Sequence, residues 1–171
     1  MQTWDAIRAR RNVREYTDEA LPAEHLDRIL EAGRRSPSAL NRQPWDFVVV
    51  TERERLVELA RVWHGAGHVA RSAATIALVT LEPAEDRGRV STHYDLGQAT
   101  MSMLLAAADL GIGSAHAAVA DQDLARRLLG LPEDRLCGYL VALGYPAGRP
   151  LAPMTRPDRR PFAEVVHRER W

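Results

Sequence analysis

Hydrophobic positions along the chain switch repeatedly between a helical and a strand period. After Leu21-Pro22, Leu26, Ile29 and Leu30 fall at i, i+3 and i+4, and Gly33 offers a stop, so a helix is predicted over 22–34. Phe47 to Val50 is a short β-rich run. An acidic helix start follows, with Leu56, Leu59, Ala60 and Trp63 on one helical face. Ala73 to Leu81, carrying Ile76, Leu78 and Val79, reads as a buried strand, whereas Leu96 to Leu110, with Met103, Leu104 and Ala107, reads as the long helix at the spine of the core. Gly111-Ile112-Gly113 closes that helix, a third strand runs to about Val119, and Asp121 can cap a helix that ends at Gly130. Leu136 to Leu143 is the fourth strand. From Gly144 to Pro161 the prolines at 146, 150, 153, 157 and 161 predict an extended arm that must lie on some surface. The pattern predicts an α+β fold with a central sheet of about four strands.

Composition narrows the picture. The 171 residues and 19.1 kDa fit one compact domain, and 46% apolar with 27% charged residues exclude a disordered chain. Basic and acidic residues balance at 23 each, so no net field draws the chain to nucleic acid or anionic lipid, and any anion site must be local. All the basic residues are arginine, which excludes lysine Schiff-base chemistry. A lone Cys137 allows neither an intrachain disulfide nor a thiolate metal cage and fits a reducing cytoplasm. The opening residues do not read as a signal peptide, and no apolar run approaches the roughly 18 residues of a membrane span.

Two segments carry candidate chemistry. Arg10-Arg11-Asn12-Val13-Arg14 sets three permanent cations within five residues, where a helix should give way to extended chain. Guanidinium forks match phosphate oxygens, although a solvated basic turn would look the same. Ser36-Pro37-Ser38-Ala39-Leu40-Asn41-Arg42-Gln43-Pro44-Trp45 joins a helix end to a strand start. Its prolines fix the path, while Ser38, Asn41 and Gln43 can donate to and accept from a flat heterocycle. Turn chemistry explains Pro37, Ser38 and Asn41 without a ligand, but not the whole string.

Together with the Leu143-Gly144-Tyr145-Pro146 turn and the ending Arg160-Pro161-Phe162-Ala163-Glu164-Val165-Val166, these segments resemble the FMN-dependent nitroreductase superfamily, in the family's order and over nearly the whole chain. The resemblance implies a mostly antiparallel sheet and a homodimer. A C-terminal strand would be exchanged with the partner, and two FMN sites would lie at the interface. It implies that Arg10, Arg11 and Asn12 hold the FMN phosphate and ribityl chain and that Arg14 stands beside the pyrimidine edge. Pro37, Ser38, Ala39 and Asn41 would come from the other subunit, a backbone N–H from Ala117, Ala118 or Val119 would face flavin N5, and Arg159 or Arg160 would reach the phosphate from the arm. A fixed guanidinium such as Arg14 favours the reduced ring, which is anionic around N1 and O2.

The sequence departs from the family at two places. Ala118 stands where some members carry a glutamate near N5, and His68 is the candidate where many place an Asn or Lys against the ring. His64 and His68 sit at i, i+4, a chelating spacing, yet no third ligand is spaced with them and Gly65 and Gly67 weaken the helix, so no metal is expected. His116 could donate to a substrate oxygen or make a structural hydrogen bond. Trp4, Trp63 and Trp171 read as core or dimer anchors. No Gly-x-Gly-x-x-Gly fingerprint follows a predicted strand. The resemblance implies an oxidoreductase in which NADH or NADPH reduces FMN transiently and a small nitroaromatic, quinone or similar acceptor takes the electrons in a ping-pong cycle. A flavin-storage protein and a flavin-destroying enzyme of the same fold are the alternatives.

Overall fold

The computed structural model describes residues 1–82 and 85–171. Four strands, β1 (Asp46–Val50), β2 (Ala74–Leu81), β3 (Gly113–Ala118) and β4 (Arg135–Gly144), form one antiparallel sheet in the order β1-β2-β4-β3. Helices α1 (Thr3–Ala9), α2 (Ala23–Arg34), α3 (Arg53–Leu59), α4 (Asp86–Asp109), α5 (Gln122–Leu129) and α6 (Phe162–Val165) surround it. The α+β fold and its four strands agree with the sequence pattern, and the antiparallel sheet with what the family resemblance implies.

Both faces of the sheet are covered, which is why β2 reads as an unbroken apolar run. Alternation sends Ile76 and Leu78 toward one layer, where Ile29 of α2 and Leu96, Met103 and Leu104 of α4 pack. Ala77 and Val79 point to the opposite layer, with Leu56 and Leu59 of α3, Val62, Val69 and Ala125 of α5. Gly33 lies so close to Met103 that a Cβ there would meet its terminal methyl at 2.2 Å, so a larger residue would make the Met103 side chain shift at the α2–α4 contact. Asp121 caps α5 by accepting from the Leu124 N–H at 2.8 Å, and Gly130 ends it in the left-handed region.

Several boundaries differ from the pattern. Helix α4 begins at Asp86, ten residues before the predicted start, because Val90 and Tyr94 on its first turns are exposed and give no buried periodicity to read. Trp63 does not continue α3. That helix stops at Leu59 and the chain tightens into 3-10 turns over 60–62 and 64–71, with Trp63 extended between them and its ring over Gly65. At three residues per turn His64 and His68 no longer share a face. His64 turns onto Trp63, 4.8 Å between ring centroids, while His68 is buried.

The arm is also different in its first half. Thr17 N–H bonds the Tyr145 carbonyl, Ala147 N–H the Glu15 carbonyl and Met154 N–H the Arg8 carbonyl, so residues 145–154 lie on their own chain. Beyond them, among the described residues, no strand follows β4. Phe162, Val165, Val166 and Trp171 are exposed at the end, and so is Trp4. No helix among the described residues is long and apolar enough to cross a membrane.

Candidate active site

The site starts at the free edge of β3. Arg10 ends α1, and the chain then runs extended past β3, where Asn12 bridges Ser114 in parallel and the Val13 N–H bonds the Ser114 carbonyl at 2.9 Å. With that carbonyl facing outward, strand alternation turns the N–H groups of His116 and Ala118 away from β4 as well. Ala117 is buried, Ala118 exposed and Val119 half-buried, so of the three candidate residues Ala118 offers both an outward amide and room for a planar group. A methyl there blocks nothing, consistent with a main-chain contact.

Two glycines let this edge close. A Cβ on Gly113 would meet Val13 at 2.8 Å, and one on Gly144 would meet the Tyr16 ring at 2.8 Å. Tyr16 is buried, donates its hydroxyl to the Val13 carbonyl at 2.6 Å, and bridges Pro146, tying the arginine segment to the Tyr145-Pro146 turn. Burial raises the Tyr16 phenol well above its usual range, and the charge of Arg14 opposes this, so it stays a donor at any physiological pH. Replacing Gly144 with alanine is expected to cost about 1–3 kcal/mol, because Tyr16 has nowhere to move without giving up its hydrogen bond. Urea unfolding measures this; an unshifted midpoint means that the ring yields.

Arg10 donates to Asn12 Oδ1 at 3.3 Å and Arg11 to the Arg149 carbonyl at 2.6 Å. Among the described residues Arg10, Arg11 and Arg14 make no salt bridge; Arg11 and Arg14 line a cleft of about 250 Å³ with Asn12, Pro146, Arg149 and one carboxylate, Glu15, so three cations face a single acid there. Arg149 was not singled out in the sequence; only the fold of the arm brings it here. Arg159 and Arg160 are exposed on the far part of the arm, where Arg159 donates to the Asp158 carbonyl and Arg160 pairs with Glu164 at 3.6 Å. Within one chain they do not line this cleft.

His68 lies under the same edge. Its Nε2 is buried without a hydrogen-bond partner, and its surroundings are the Ala115 and Gly65 carbonyls, Arg14 and His116. Burial first, then the charge of Arg14, hold its pKa below the ordinary value, against the pull of the two carbonyls. The stability that comes with keeping it neutral is therefore complete above the unfolded histidine pKa of about 6.5 and is lost as pH falls through the lower folded value. A His68→Gln variant should lose less stability than the parent between about pH 7 and 5; equal losses would remove His68 as the cause. Burial pushes the Cys137 thiol up to about 12, so it is held as a thiol.

The second segment sits elsewhere, against α4. Ser38 Oγ accepts from the Gln43 N–H at 2.9 Å, and Leu40, Asn41 and Gln43 all adopt positive φ, at 52°, 54° and 50°. Such backbone costs roughly 1 kcal/mol or more per non-glycine residue and accumulates where function needs it. Leu40 is 86% exposed, and Pro37, Ser38, Ala39 and Asn41 face away from the core. Within the chain this loop and the arginine segment line different clefts.

Comparison with known proteins places this architecture. The model of the Nitroreductase family matches residues 7–70 and 61–145. A Methanothermobacter thermautotrophicus protein provisionally named NADH dehydrogenase/NAD(P)H nitroreductase is 33% identical, over 100% of this chain and 88% of its own. An Archaeoglobus fulgidus protein of the same provisional name is 34% identical over 96% of both. Among solved structures, one from Clostridium acetobutylicum provisionally named NADH oxidase superposes with a TM-score of 0.86 at 24% identity, covering 98% of this chain and 100% of the other, a likeness of fold. The chain belongs to the nitroreductase family, and its similarity to named NAD(P)H oxidoreductases extends over the full length.

Proposed function

We propose that the protein is an FMN-dependent oxidoreductase that takes electrons from NADH or NADPH and passes them to a small acceptor such as a nitroaromatic or a quinone, working as a homodimer. The observation that carries the reading is the set of guanidinium groups of Arg10, Arg11 and Arg14, without a salt bridge among the described residues, along a strand edge whose Ala118 amide points outward. The donor set fits the cofactor: cations for a phosphate dianion, a cation for the electron-rich ring edge, and a buried histidine with an unused nitrogen beside it. Names of the relatives, which include NAD(P)H nitroreductase and NADH dehydrogenase, support the electron donor.

Bound FMN would supply two-electron redox chemistry between donor and acceptor. The chain's own residues bind and tune. Arg10 and Arg11, with Asn12 orienting Arg10, hold the phosphate and ribityl chain, and Arg159 or Arg160 adds a cation from the arm. Arg14 would place permanent charge at the pyrimidine edge, the outward Ala118 N–H would donate to the ring nitrogen, and the exposed His116 would be available to an acceptor oxygen. Pro37, Ser38, Ala39 and Asn41 come from the partner. Protein reconstituted with FMN should hold one per chain and bleach under anaerobic NADH or NADPH; flavin that stays oxidised with both would overturn the catalytic reading in favour of storage.

The dimer has its own support. Val90, Tyr94 and Met101 are exposed on α4 at spacings that put them on one face, and a Cβ on Gly97 between them would meet nothing. A second copy of this face would cover it, with the exposed arm ending from Phe162 to Trp171, which forms the short helix α6 and not a strand, reaching across to the partner. Sedimentation should give twice the 19.1 kDa chain mass. Tyr94→Asp together with Met101→Asp should weaken the dimer by at least about tenfold, with FMN lost alongside. A folded monomer that retains FMN would overturn the shared site.

A further inference from the structure

The loop that carries Pro37–Asn41 is gripped from below by one helix. Asp95 of α4 is only 3% exposed, yet both of its carboxylate oxygens accept from the Ala39 N–H, at 3.3 and 3.2 Å. Gln98, one turn on, donates to Asp95 Oδ1 at 3.3 Å and to the Pro37 carbonyl at 3.4 Å, and Ser102 bonds the Ser36 hydroxyl at 2.8 Å. Positions 95, 98 and 102 share a helix face, so each hydrogen-bonds a different residue of the loop.

We propose that Asp95 is the positioning residue of the cofactor loop: its buried carboxylate fixes the Ala39 amide and so holds the left-handed run at Leu40, Asn41 and Gln43 in the shape that meets the flavin. This rests on the assignment of that loop to FMN. A buried carboxylate is costly, and among the described residues no cation pairs with this one. Its neighbours Leu96 and Ala99 belong to the apolar layer, where an apolar residue at 95 would pack. What the carboxylate provides that a leucine could not is acceptance from the Ala39 amide and from the Gln98 side chain that itself holds the Pro37 carbonyl. Asp95 also lines the cleft of about 590 Å³ walled by Arg42, Gln43, Pro44 and Trp45, so it stands under both limbs of the loop. Released from Ala39, three non-glycine residues with positive φ would relax toward ordinary backbone.

The test compares the parent, Asp95→Asn, which keeps one acceptor oxygen, and Asp95→Leu, which keeps volume alone. Amide exchange at Ala39 and tryptic cleavage after the exposed Arg42 are followed in protein without cofactor, thermal melting in the same samples, and FMN affinity by fluorescence quenching. The expected result is faster exchange and cleavage in Asp95→Leu, a melting point equal to or above the parent's, FMN binding weaker by about tenfold, and partial rescue in Asp95→Asn. A variant stabilised but unable to hold flavin separates positioning from a structural role. If Asp95→Leu does not fold, Asp95→Asn alone must show the faster exchange. Parental exchange in every folded variant overturns the proposal; faster exchange with parental FMN affinity overturns the link from loop shape to cofactor. Parent protein that binds no FMN overturns the proposed function itself, and the exchange measurement still reports on Asp95.

Discussion

Replacing Arg10 with alanine is expected to weaken FMN binding by about ten- to a hundredfold, because a charge-assisted contact contributes roughly 1.5 to 3 kcal/mol. Arg10 ends α1 at the mouth of the candidate phosphate site, and its hydrogen bond to Asn12 Oδ1 holds the guanidinium without neutralising it. The substitution removes one cation and frees Asn12 at once, while the backbone bridge from Asn12 to Ser114 keeps the segment in place. Equilibrium titration of the protein without cofactor measures the effect, and raised ionic strength should narrow the gap between parent and variant. Unchanged affinity would mean that Arg10 is a solvated surface cation.

Arg14→Met should separate redox tuning from affinity. Methionine keeps much of the arginine stem's length and removes the charge. Losing about 1.4 kcal/mol of preference for the reduced, anionic ring lowers the two-electron potential by about 30 mV. FMN should stay bound, since the phosphate contacts proposed above fall on other residues. A potential measured against a reference dye reports the shift. The role falls if the variant loses its flavin yet shows the parental potential when saturated with it. Tyr16 and His68 lie close enough to feel the charge of Arg14, so its removal should also let the His68 pKa rise toward the ordinary value, an independent readout by NMR titration.

Much of this was legible in the chain. The strands over 47–50, 73–81 and 136–143 announce themselves because branched residues cluster between polar breaks, and Asp121 and Gly130 mark α5 because caps depend on neighbours in sequence. The first ten residues of α4 were not, since an exposed helical face carries no buried stripe. Asp95 left a faint signal, an acid on the apolar face that includes Leu96, Ala99 and Met103, but nothing local says that its partner is the amide of Ala39, 56 positions away.

The sequence by itself determined the order and type of the four strands and of the helices α2, α4 and α5, the absence of lysine and of paired cysteines, and the arginine and Pro37–Asn41 segments, because periodicity, capping and side-chain chemistry act over a few residues. Only the tertiary structure decided the strand order β1-β2-β4-β3, the turning of Arg149 toward Arg11, the burial of His68 beside Arg14, and the tight fits of Val13 on Gly113 and Tyr16 on Gly144. These are contacts between residues far apart in the chain. Their energy comes from excluding water and matching shape across the gap, and no window of sequence contains both sides of it.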